Sequence, residues 1–253
     1  MIIPCEHNLL LQLQILSAIN YPDMKNKLLI CPAFIMGILL MIIPGCQKSD
    51  AHNDPSVTVT DIDGNIYNTI TIGTQVWMKE NLKTTRYRTG ELIPNVTDPT
   101  QWYNIITGAY CDYDNNPVNS ATYGRLYNWY ALNSGNLAPA GWHIPSDAEW
   151  VTLENYLGDA SLAGGKLKET GTTHWQSPNT AASNETGFTG LPGGYRSSTG
   201  SYYEITYKGV WWTSTTGTDI SYAYYRFLDF NIGFIIRNED YKVDGYSVRC
   251  IRD

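Results

Sequence analysis

The 253-residue chain carries 17 basic and 24 acidic side chains, a formal net charge of −7, and is 43% hydrophobic but only 16% charged. That balance is too apolar for a disordered chain, and the lack of a Lys/Arg cluster excludes the phosphate-neutralising footprint that a nucleic-acid binder needs. Aromatics are abundant (19 Tyr, 8 Trp, 5 Phe), while five scattered Cys make no zinc framework.

In chain order, Met24-Lys25-Asn26-Lys27 precedes a 16-residue apolar run, Leu28–Ile43, interrupted by Pro32 and Gly37. A bilayer core needs about 20 apolar residues, so the run reads as the core of a signal peptide rather than a span. It ends Ile43-Pro44-Gly45-Cys46. This is similar to a bacterial lipobox, in which Cys46 would be lipidated and become the mature N-terminus. Residues 1–23 then read as an upstream extension before a start at Met24, 24–45 as a lipoprotein signal peptide, and 46–56 as a polar tether. Gln47-Lys48-Ser49-Asp50 resembles the export tag of Bacteroidota surface lipoproteins. The expected setting is the outer membrane, reached through the lipid anchor, with the chain facing the cell surface.

Residues 57–253 read as one domain. Val57–Tyr67 centres on Asp63-Gly64, a hairpin turn between alternating apolar positions. The strand 67–72 turns at Gly73 into a second strand, 75–78. Tyr123–Leu132 places Leu126, Trp129 and Tyr130 at i, i+3 and i+4 and predicts an amphipathic helix. Ser146 and Glu149 form a capping box ahead of a helix whose inner face is Trp150, Leu153 and Leu157, stopped at Gly158. A shorter helical piece runs from Asp159 toward Lys168. Beyond Tyr202 the pattern is that of strands: 210–213, 223–230, 234–237 and 246–251. Two or three helices segregated from a C-terminal antiparallel meander predict an α+β fold.

Seven ordered blocks carry a resemblance. They are Asp61-Ile-Asp-Gly-Asn-Ile-Tyr, Gln75-Val-Trp-Met-Lys-Glu-Asn-Leu, Tyr123-Gly-Arg-Leu-Tyr-Asn-Trp-Tyr-Ala, Gly141-Trp-His-Ile-Pro-Ser-Asp-Ala-Glu-Trp, Gly190-Leu-Pro-Gly-Gly-Tyr-Arg, Trp211-Trp-Thr-Ser and Tyr246-Ser-Val-Arg-Cys-Ile-Arg-Asp. Together they closely resemble the Fibrobacter succinogenes major paralogous domain, from Val57 to Asp253. The resemblance implies a C-type lectin-like fold, related to sulfatase-modifying proteins, and a surface-lipoprotein setting. The copper-binding Cys pair of the formylglycine-generating enzymes has no counterpart in these blocks. Nor do the sugar-binding triplets of calcium-dependent lectins.

Nucleophile-elbow, zinc-protease and P-loop motifs are absent from the chain, and no enzyme is expected. Glu149 and Glu154 are five positions apart on a helix and do not share a face; they read as a cap and a solvated charge. His143 reads as a packed turn residue. Asp112, Asp114 and Asn116 alternate as calcium ligands do, but Pro117 and Tyr123 break the EF-type pattern, so an Asx-rich turn competes with a weak calcium site. No other cofactor is expected. Trp102, Trp175, Tyr195, Tyr202 and Tyr203, with Arg196, lie in Gly/Ser/Thr/Asn-rich stretches, where exposed rings suit a glycan or an extracellular protein. Cys111 and Cys250 are the thiols left once Cys46 is lipidated, and they are expected to bridge, as a terminal-strand disulfide does in lectin-like folds. The leading expectation is a surface-anchored, non-catalytic binding domain. An envelope enzyme on polymers and a structural assembly lipoprotein are the rivals.

Overall fold

The computed structural model describes residues 58–253. The expected upstream extension, signal peptide and tether, with Cys46, lie outside the described residues. Among the described residues no helix is long and apolar enough to cross a membrane.

Strands β1 (Val59–Thr60) and β2 (Ile66–Tyr67) pair antiparallel. Asp61 Oδ1 closes their turn by accepting from the backbone N–H groups of Asp63 and Asn65 at 3.0 and 2.9 Å. Strands β3 (Thr69–Ile72) and β4 (Gln75–Met78) form the second hairpin, with Ile70 opposite Trp77. Its turn needs Gly73, whose φ is +62° and whose missing Cβ leaves room for the Tyr156 ring at 2.8 Å.

The middle of the chain departs from expectation. Five helices are present among the described residues: α1 (Pro99–Asn104), α2 (Pro117–Tyr123), α3 (Trp129–Asn133), α4 (Asp147–Leu157) and α5 (Ala163–Leu167). The single helix predicted over Tyr123–Leu132 is instead the end of α2, the strand β6 (Leu126–Tyr127) paired to β5 (Tyr110–Cys111), and α3. Gly124 stops α2, and Asn128 caps α3 by accepting from the Ala131 N–H. Two of the unpredicted helices begin with an Asx cap followed by Pro: Asp98-Pro99 and Asn116-Pro117. The capping box of α4 is present as read, with Glu149 Oε2 accepting from the Ser146 N–H at 2.7 Å.

The remaining strands are β7 (Trp142–His143), β8 (Gly193–Arg196), β9 (Tyr202–Ile205), β10 (Lys208–Thr216), β11 (Tyr222–Asp229), β12 (Ile236–Tyr241) and β13 (Ile251–Arg252). Together with β3 and β4 they make a five-stranded sheet, β12-β11-β10-β8-β9, and a four-stranded sheet, β3-β4-β13-β7. The fold is mixed α and β, and its long antiparallel pairs are the β10–β11–β12 meander. Period-two alternation deals side chains to two cores. Val210 and Trp212 enter one with Met78, Val248 and Cys250. Trp211 enters the other with Trp77, Trp150, Leu153, Leu157 and Ile251. A third cluster gathers Val96, Trp102, Cys111 and Tyr113.

The predicted last strand, 246–251, is mostly irregular and lies between these elements. Gly245 bridges Arg196, Tyr246 bridges Tyr127, and Ser247 bridges Trp211, before β13 joins β4 and β7. This segment is pinned by backbone bonds on several sides and by Arg249, not by a disulfide. The expected Cys111–Cys250 bridge is corrected by the structure: both are free, buried thiols, Cys111 in the third cluster and Cys250 in the first. Burial pushes the Cys111 thiol up to about 11, so it packs as a small hydrophobe.

Arg249 is fully buried against the Phe188 ring, 4.0 Å from its centroid. It donates to Asn81 Oδ1 at 3.1 and 2.8 Å and to the Phe188 carbonyl at 2.5 Å. Arg249→Met preserves volume but strips the Phe188 carbonyl of its donor and leaves Asn81 Oδ1 with the Trp211 indole N–H at 2.8 Å. It should lower unfolding stability by about 3 kcal/mol, with an unchanged m-value, in a urea titration.

Candidate functional site

Two depressions open at the edge of the first core, and core side chains line part of each: Val210 and Tyr246 in one, Tyr87 in the other. The first is a cavity of about 90 Å³ on the inner side of the meander, lined by Tyr195, Lys208, Val210, Tyr225, Phe227, Asp240 and Tyr246. Alternation along β11 sends Tyr225 and Phe227 to the same side, where their rings stack with centroids 6.0 Å apart. Tyr246 stands edge-on to Tyr195 at 5.7 Å and tilts against Tyr225 at 4.9 Å. Its hydroxyl donates to Asp240 Oδ2 at 2.9 Å, and the Tyr241 N–H donates to Asp240 Oδ1 at 2.9 Å. Behind Asp240 lies Asp244, 4% exposed, one of whose carboxyl oxygens has no hydrogen-bond partner. Burial and the neighbouring Asp240 carboxylate push the Asp244 carboxyl up to about 8.

The second depression is a broad groove of about 350 Å³, lined by Tyr87, Thr89, Glu91, Ile106, Thr107, Gly108, Tyr130, Asn133, Ser134 and Asn136. Gly108 is required at its floor: a Cβ there would sit 2.0 Å from the Tyr87 hydroxyl oxygen and 2.9 Å from the Ala131 backbone. The glycine lets the phenol lie against the start of α3. The lining offers two rings, hydroxyls and amides, with Glu91 as its one charge.

The sequence-predicted residues are dispersed by the fold. Tyr195 reaches the cavity, and Tyr203, half exposed, packs on it at 5.7 Å. Trp102 and Trp175 are corrected from loop contacts to core: both are buried, and Trp175 Nε1 donates to the Gly190 carbonyl at 3.0 Å. Arg196 is likewise buried, its guanidinium 4.4 Å from the Trp102 centroid and 5.0 Å from that of Tyr202. The Tyr202 hydroxyl is spent on Asn115 Oδ1 at 2.8 Å. Polar loops can hide buried rings because a ring's partner is set by the fold, not by its sequence neighbours. Tyr225, Phe227 and Tyr246 read in sequence as strand residues and Asp240 falls between two expected strands, although the two-residue spacing of Tyr225 and Phe227 places them on one face.

The three calcium-type residues are committed elsewhere. Asp112 is bound by the Arg125 guanidinium at 2.9 Å and by the Ser120 hydroxyl. Asn116 Oδ1 caps α2 by accepting from the Val118 N–H, and Asp114 is exposed with a φ of +54°. Among the described residues no group of three or more His, Cys, Asp or Glu is placed to hold a metal ion. Glu154 is not a solvated charge: it accepts from the buried Arg226 at 2.6 Å, with Asp147 on the same guanidinium. His143, half exposed, bridges Glu149 at 2.8 Å and Asp253 at 2.7 Å. Partial burial would lower its pKa, but hydrogen bonds donated to these two carboxylates, and their charge, raise it.

The Asp244 carboxyl makes stability depend on pH. Its folded value, about 8, lies above the unfolded one near 3.9, so only the folded chain keeps the proton between them. Its contribution is complete below the lower value and lost as pH rises through the upper. Asp244→Asn holds an uncharged donor at every pH. The stability difference between variant and wild type should therefore move in the variant's favour from about pH 4 to about pH 8, then level off. Parallel urea-stability profiles over that range would refute the assignment.

No curated protein and no solved structure gives a significant match to the chain. The family model described as the Fibrobacter succinogenes major domain matches residues 70–252, a span that contains the cavity, the groove and every strand from β4 to β13. By that match the chain belongs to the Fibrobacter succinogenes major domain family.

Proposed function

We propose that this chain is a surface-anchored, non-catalytic binding lipoprotein whose domain takes a neutral glycan in the Tyr87–Tyr130 groove. The carrying observation is the chemistry of that groove: two rings beside Thr89, Thr107, Asn133, Ser134 and Asn136, with no Lys, Arg or His in the lining. Aromatic faces suit the C–H faces of sugars, and hydroxyl and amide groups can exchange hydrogen bonds with sugar hydroxyls without burying a charge. The groove is open, as an extended chain requires. A lipid on Cys46 would tether the domain at the outer-membrane surface, a reading supported by the basic stretch, apolar run and Gly45-Cys46 of the sequence. We read the fold as C-type lectin-like, supported by the terminal strand β13 returning to pair with β4 beside the N-terminus of the domain.

The absence of catalysis is supported by how the acid–base candidates are employed. Glu149 closes the α4 capping box and holds His143, and Glu154 neutralises a buried guanidinium. Each is a structural ion pair before it is a proton carrier.

A glycan array probed with the purified chain tests the reading. Saturable binding to a neutral glycan should appear and fall about tenfold in Tyr130→Ala, a loss of about 1–2 kcal/mol typical of a truncated aromatic contact. Thermal unfolding of that variant should stay close to wild type. Failure to bind any neutral glycan, or binding indifferent to Tyr130→Ala, would overturn the assignment.

A further inference from the structure

The cavity behind the meander has a different chemistry from the groove. Four rings, those of Tyr195, Tyr225, Phe227 and Tyr246, wall it, and the Asp240 carboxylate is its acidic member. The carboxylate has donors from Tyr246 and Tyr241, but among the described residues no Lys, Arg or His forms an ion pair with it. The one cation in the lining, Lys208, is already paired: its ammonium lies 3.5 Å from Glu204 and 5.5 Å from the Phe227 centroid, at the edge of the cavity wall. Behind Asp240, the buried Asp244 has a carboxyl oxygen with no partner. The volume of about 90 Å³ leaves room for about three water-sized groups.

A small cavity that sets aromatic faces around an unpaired carboxylate fits an ammonium head better than any neutral or anionic group. Ring quadrupoles attract a cation, the carboxylate neutralises it, and the desolvated walls strengthen both effects. We infer that this cavity is a binding site for the alkylammonium head of a small organic cation, with Asp240 as counter-ion and the Tyr195, Tyr225, Phe227 and Tyr246 rings as its walls. A free amine and the side-chain ammonium of an extracellular peptide share this chemistry. The site is separate from the groove and does not depend on glycan binding.

The test uses ethylammonium as probe and ethanol as its uncharged counterpart, titrated into the chain at neutral pH while the ring resonances of Tyr195 and Phe227 are followed by NMR. Ethylammonium should saturate in the millimolar range, consistent with so few atoms, while ethanol should not saturate. Asp240→Asn should weaken ethylammonium about tenfold or more. Lys208→Met removes a like charge from the half-exposed rim and should tighten binding severalfold, a gain no structural role predicts. Competition by N-acetyl-lysine amide would point to a peptide as the source, and its failure to compete would point to a free amine. Equal shifts from ethanol, no saturation by ethylammonium, or unchanged affinity in Lys208→Met would each overturn the proposal, even if Asp240→Asn failed to fold.

Discussion

A buried cation without a carboxylate beside it must draw its counter-charge from backbone carbonyls, and this domain is organised around three such cations. Lys168 donates to the carbonyls of Thr180, Asp229 and Ile232 at 2.7–2.9 Å. Arg196 donates to those of Val96, Thr97 and Gly200. Arg249 holds Asn81 and Phe188. Lys168 and Arg196 each collect three backbone carbonyls, and Arg249 collects one together with the Asn81 side-chain oxygen, which helps a long-loop fold keep its buried polar groups paired. The cost is visible in the cations themselves: burial pulls Lys168 down to about 8 and Arg249 down to about 9. Aromatic faces share the charge, Trp175 under Lys168, Trp102 under Arg196 and Phe188 under Arg249. Much of the high aromatic content therefore serves the interior.

That arrangement explains how a chain with short strands can present preformed depressions. Arg196 ties the loop before α1 to β8, so Tyr195 projects from a fixed backbone into the cavity. Asn128 binds the Ala109 N–H and caps α3, which fixes Tyr130 in the groove wall that Gly108 and Tyr87 also line. The glycan reading and the cation reading both rest on rings whose supports are anchored in this way, and preorganisation of this kind lowers the ordering cost of binding.

Local signals were legible in the sequence because their chemistry is local. The Ser146–Glu149 box, the Trp150–Leu153–Leu157 face, the Asp63-Gly64 turn and the first two meander strands all follow from residues within one turn or one strand of each other, whereas the third meander strand, expected at 234–237, is Ile236–Tyr241. The helix expected at Tyr123–Leu132 failed because its apolar spacing straddles Gly124 and Asn128, which end one helix and cap another. Arg196 reads in sequence as a loop ligand because its partner Val96 is 100 positions away. Counting thiols pairs Cys111 with Cys250, but the fold sends them to separate clusters. The cavity was least legible, since it joins β8, β10, β11, β12 and Tyr246, and only the folded topology brings these together.

Native-state hydrogen exchange tests the central claim, that buried cations hold the long loops as firmly as the sheets. The Thr180 N–H, bonded to the Phe230 carbonyl, and the Gly245 N–H, bonded to that of Arg196, are the probes. Both should exchange only through global unfolding, with opening free energies equal to the stability of the whole domain. In Lys168→Met, protection at Thr180 should fall to a local opening while Gly245 keeps its global value. Exchange of both amides through low-energy local openings in the wild-type chain would contradict the account.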